Sequence, residues 1–149
     1  MLGKLFNRGK AAMEDLKNGA LKFKEENFLE ASVAGGFMVA NADGNIDSDE
    51  KSKLLKFIKS NEALSVYNPE DVVKQFKKYS DLYEFDVDAA EAAALQAISK
   101  IKSNTEKSKF LVRMICSIGK TDGDFDKDEK TVVRKICLEL NLNPSEFDV

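Results

Sequence analysis

Eight carboxylates recur at one spacing in this chain. The segment DGNIDSDEK at 43–51 contains Asp43, Asp47, Asp49 and Glu50, and DGDFDKDEK at 122–130 repeats them 79 positions further on as Asp122, Asp126, Asp128 and Glu129. A fixed offset between matching segments is the mark of two copies of one supersecondary unit, related on folding by a pseudo-twofold axis. Side chains that offer only oxygen suit a hard cation, and the chain has no histidine to attract zinc. The carboxylates of the two segments are therefore candidates for one shared acidic site. Calcium is the expected ion, with magnesium or manganese as the other candidates.

The turn is not a complete EF-hand loop. With Gly44 at the sixth position of such a loop, Asp43, Ile46, Asp47 and Glu50 match positions five, eight, nine and twelve, but positions one and three are Val39 and Asn41. In the second copy those two positions are Ile118 and Lys120. Neither turn can wrap a cation alone, so binding requires the two to share it. Folding alone also accounts for part of the pattern. Asp47 with Glu50, and Asp126 with Glu129, have the spacing of a capping box, and Gly44 and Gly123 suit the left-handed residue that follows a helix. Asp43 and Asp122 are left over. Each follows a helix C-terminus, where exposed carbonyls disfavour a carboxylate by a few tenths to about 1 kcal/mol, and a cation would offset that crowding. Asn45 faces Asp124 across the repeat and Ser48 faces Lys127, so equal affinity in the two halves is not expected.

The elements that must hold these turns read as all-α. Glycine and proline are few and fall where helices should stop, while alanine, leucine, lysine and glutamate fill the intervals. About seven helices are expected, near 3–17, 28–41, 48–60, 69–84, 86–101, 105–120 and 127–140, and the 143–146 segment caps one last turn. The second is apolar almost all round (Leu29, Val33, Phe37, Met38, Val39), the pattern of a helix buried on most sides, and Gly35 and Gly36 would let a neighbour come close. Phe110, Leu111, Met114, Ile115 and Ile118 repeat that character, so the two buried helices should pack together at the centre. The third turns Leu54, Leu55, Phe57 and Ile58 inward and presents Lys51, Lys53, Lys56 and Lys59 to solvent. Asn68 before Pro69, Glu70 and Asp71 is a helix start, with Val72, Val73, Phe76 and Tyr79 or Tyr83 as the core stripe. The organisation is a single domain over 1–149, with internal repeats at about 28–60 and 107–140 linked by helices at about 69–84 and 86–101.

Composition narrows the function classes. The chain of 149 residues can bury about two thirds of its unfolded surface around one core. Cys116 and Cys137 align with Phe37 and Ile58 of the other half, so both read as reduced core residues of an intracellular protein. The start is basic, but Leu2, Leu5 and Phe6 are too few for a signal-peptide core, and nothing approaches the roughly 20 apolar residues of a membrane span. With a net charge of −3 and only Arg8, Arg113 and Arg134 able to form planar bidentate contacts, nucleic acid is not an expected partner. No nucleophile or cofactor fingerprint accompanies the acids, so the chain is not expected to be an enzyme.

The doubled Asp-Gly-x-apolar-Asp-x-acid-Glu-Lys turn after a small-residue-rich helix resembles the TerB family of tellurite-resistance proteins. The resemblance continues through the stretch Tyr83, Glu84, Phe85, Asp86 between the halves and the closing Asn143, Pro144, Ser145, Glu146, Phe147. It implies an all-α, TerB-like helical domain with an acidic surface that binds metal ions, with Asp43, Asp47, Glu50, Asp122, Asp126 and Glu129 as its ligands and Asp86 as a further one. It also implies a cytoplasmic component of bacterial tellurite and stress resistance, held peripherally at the inner membrane by protein partners, an integral membrane TerC-like protein and TerD-like proteins. The expected function is a non-enzymatic cation-binding adaptor that docks on a membrane partner. The alternative is a metal-independent protein–protein interaction module whose acidic turns are only helix caps.

Overall fold

The computed structural model describes residues 24–42, 44, 48–60, 62–119 and 126–149, and all regular structure among them is helical. Six α-helices follow one another: α1 (Glu26–Ala40), α2 (Ser48–Ser60), α3 (Pro69–Phe85), α4 (Val87–Ser99), α5 (Thr105–Gly119) and α6 (Lys127–Glu139). Short 3-10 turns occupy Glu62–Val66 and Pro144–Phe147. The helix expected near 3–17 lies outside the described residues.

Helix α1 is the axis of the molecule. Every residue from Phe28 to Val39 is buried, because α3, α4 and α5 pack on it and α2 and α6 touch it as well. An all-round apolar sequence can only be stable in such a place. Phe37 sits in an aromatic nest, its ring centroid 4.8 Å from Phe76, 5.7 Å from Tyr83 and 6.5 Å from Tyr79. Gly35 lets α5 approach so closely that an added Cβ would lie 2.3 Å from Ile115 Cδ1.

Helix ends are set by local chemistry. Asn68 accepts a hydrogen bond from the Glu70 N–H at 2.9 Å with Pro69 at the first helical position. A single residue, Asp86, joins α3 to α4. Its N–H donates to Leu82 O to close α3, and its carboxylate accepts from the Asp88 N–H at 3.1 Å to open α4. Asn104 caps α5 through the Lys107 N–H, Asn141 takes a left-handed φ of 58° just beyond α6, and Asn143 caps the closing turn that buries Phe147. One core assignment needs correction. Val73 is 39% exposed, since the inward stripe of α3 runs through Val72, Phe76, Tyr79 and Tyr83, and Val73 lies one residue round the helix from it.

Candidate cation site at two helix ends

Three contacts fix how α1 and α5 lie. Glu25, at the N-cap of α1, is ion-paired with Lys107; Phe28 stacks on Phe110 with centroids 5.5 Å apart; Gly35 meets Ile115. The partners rise together in number, whereas antiparallel helices would reverse one series. The two helices therefore run in the same direction, and Ala40 and Gly119, their last residues, lie at the same end of the pair. Both acidic segments start from that end.

Beyond α1 the backbone turns through bonds from the Ala42 N–H to Val39 O and from the Gly44 N–H to Asn41 O, and Gly44 has a φ of 90°. That left-handed conformation is the one glycine tolerates, as the sequence requires. Asp43, Asp47 and Asp122 lie outside the described residues, as does Gly123. Glu50 belongs to α2, but its side chain is likewise outside the description.

Asp126 and Glu129 are fully described. Asp126 Oδ1 accepts the Glu129 N–H at 2.8 Å, and Glu129 Oε1 accepts the Asp126 N–H at 2.9 Å, a complete capping box at the start of α6. This arrangement uses one oxygen of each carboxylate. The all-oxygen donor set is of the kind that fits a hard cation. Among the described residues no three histidine, cysteine, aspartate or glutamate side chains cluster to hold a metal ion. Replacing Asp126 by alanine is expected to cost about 1 kcal/mol through the lost cap, read as a lower urea midpoint with an unchanged slope.

The cysteines stand apart from any such chemistry. Cys116 and Cys137 are free and buried. Burial pushes the Cys116 thiol well up, with Cys137 adding to the effect, and burial with the nearby Glu146 charge raises Cys137 to about 11. Neither is a thiolate near neutral pH, the form that attacks or ligates.

Residues 29–149 match the family model described as Tellurite resistance protein TerB. The chain belongs to the TerB family. A relative from Alcaligenes sp, Tellurium resistance protein TerB, is 27% identical over 116 residues, an alignment covering 74% of this chain and 95% of the relative. No solved structure matches the chain. The TerB match begins within α1 and extends over both acidic segments, and no helix among the described residues is long and apolar enough to cross a membrane.

This TerB chain also carries a polar centre that sequence reasoning missed. Glu30 sits among the buried residues of α1, where its Oε2 accepts hydrogen bonds from Tyr79 Oη and Lys78 Nζ, both at 2.7 Å, and Lys100 lies 4.0 Å from Oε1. Burial raises the carboxyl pKa, but the two hydrogen bonds and the charges of Lys78 and Lys100 outweigh it, leaving Glu30 below its ordinary value. Burial and the Glu30 carboxylate both push the Tyr79 hydroxyl strongly upward, so it stays a donor. The signal was available: Glu30 is the one charged residue between Phe28 and Val39.

Proposed function

We propose that this TerB chain is a non-enzymatic adaptor of tellurite and stress resistance that holds one divalent cation between its two acidic turns and docks on a membrane-bound protein. The ligands in this reading are Asp43, Asp47 and Glu50 from the first turn and Asp122, Asp126 and Glu129 from the second, with calcium the first candidate and magnesium or manganese the others. The chain acts as a single domain of about seven helices with a pseudo-twofold duplication. Its partners are an integral membrane TerC-like protein and TerD-like proteins, met in the cytoplasm at the inner membrane.

The observation that carries the reading is the common direction of α1 and α5, which starts both acidic segments from one end. The duplication is supported by helix bounds displaced by the same 79 residues as the motif, 26 to 105 and 48 to 127. A cation shared between the segments would relieve the repulsion that each suffers beside its helix C-terminus. Thermal unfolding in chelator and then in millimolar calcium, magnesium or manganese tests this. At a hundred times its dissociation constant a bound ion should add about 2.7 kcal/mol, and Asp43→Asn with Asp122→Asn should abolish the gain. No cation-dependent shift would leave the acids as caps.

A second reading, a metal-independent interaction module, draws on the complete capping box at Asp126 and Glu129, which explains two of the acids without an ion. Capture of the membrane partner in excess chelator separates the two: retention favours the module, loss restored by the cation favours the adaptor.

A further inference from the structure

The elbow between α3 and α4 carries an apolar tip that the fold leaves unused. Phe85 is 83% exposed and Val87 38% exposed, on either side of Asp86. Their exposure is not the looseness of a loop. Asp86 both closes α3 and opens α4, and Tyr83, two residues before Phe85, is buried and stacked on Phe37 in the core. The elbow is thus ordered before any partner arrives, which lowers the cost of binding.

The surroundings specify the partner's charge. From Ser80 to Ser99 there are five acids, Asp81, Glu84, Asp86, Asp88 and Glu91, and no lysine or arginine. Lys51 reaches back to Glu84 and Lys135 to Glu91. Asp81 lies one turn below Phe85 on the same face of α3, and Asp86 and Asp88 flank Val87, all exposed. An exposed aromatic side chain flanked along the chain by exposed carboxylates disfavours anionic lipid and nucleic acid and favours a cationic segment with apolar side chains.

We infer that the α3–α4 elbow is a docking surface for a basic, apolar-faced segment of a partner protein, anchored by Phe85 and framed by Asp81, Asp86 and Asp88. This rests on the adaptor reading of the chain but not on the cation. The test titrates the isotope-labelled full chain, in chelator, with a fourteen-residue amphipathic lysine–leucine peptide. Amide shifts should centre on 81–91 and not on 43–50 or 122–129, and binding should weaken with salt. Phe85→Ala should lower affinity at least tenfold, and Asp81→Asn with Asp88→Asn should reduce it further while leaving the Asp86 caps intact. Shifts centred elsewhere, or equal affinity for Phe85→Ala, overturn the inference. So does binding to phosphatidylglycerol vesicles, or concentration-dependent self-association, that Phe85→Ala abolishes, since the tip would then serve a membrane or a second copy. Capture of the membrane partner is scored separately: undiminished capture by Phe85→Ala removes the elbow and keeps the adaptor, whereas no capture by the unaltered chain removes the adaptor.

Discussion

Replacing Phe37 by alanine is expected to cost about 3–5 kcal/mol, the range for deleting a fully buried aromatic ring. Phe37 is wholly inaccessible, and its ring is shared by Phe76, Tyr79 and Tyr83 of α3. Those three residues are anchored on one backbone and cannot all move inward, so most of the cavity persists. Against a typical total of about 5–15 kcal/mol, the variant should be marginal at physiological temperature. Urea unfolding followed by circular dichroism measures the loss. A loss below about 1 kcal/mol would mean that α1 is not the axis of the core.

Glu30→Ala is expected to cost about 2–3 kcal/mol. The substitution leaves the Tyr79 hydroxyl, now 2.7 Å from a carboxylate oxygen, buried without its acceptor, and an unsatisfied buried polar group costs about 1–3 kcal/mol. It also removes the partner of Lys78, whose half-exposed ammonium can turn to water and so adds little. Glu30→Gln retains an acceptor for Tyr79 and should lose less. The same residue sets a pH dependence. Because the folded carboxyl titrates below its ordinary 4.5, the unfolded chain takes up the proton first as pH falls. Its contribution is therefore complete above about pH 4.5 and is lost as pH drops through the folded value. Urea midpoints between pH 3 and 6 should show a fall in the parent protein that is shallower in Glu30→Gln.

Much of the fold was legible because helix termini are written in short-range chemistry. Asn68 with Pro69, Asp86, Thr105 and Asn143 each mark a boundary that the structure places within a residue or two. The burial of α1 followed from a helix with almost no polar face. What could not be read depends on neighbours. Val72 and Val73 are equally apolar, and only the position of α1 decides that Val72 is inside and Val73 outside. Glu30 and Gln75 are buried polar residues whose burial is set by α3 crossing α1, which no local pattern reports. Phe85 stood inside a recognised motif, but its exposure depends on the elbow made by Asp86. The offset of 79 residues identified the two acidic turns without telling whether their preceding helices run together or opposed. The contacts of Glu25, Phe28 and Gly35 with α5 supply that direction.

The shared cation site is tested most directly by a residue-resolved calcium titration of the full chain in solution, starting from chelator-treated protein. Amides in 43–50 and 122–129 should shift together along a single binding curve with one ion per chain, and Asp43→Asn should weaken the response in both segments. Two independent curves, a response in one segment alone, or none up to millimolar calcium, magnesium or manganese would contradict it.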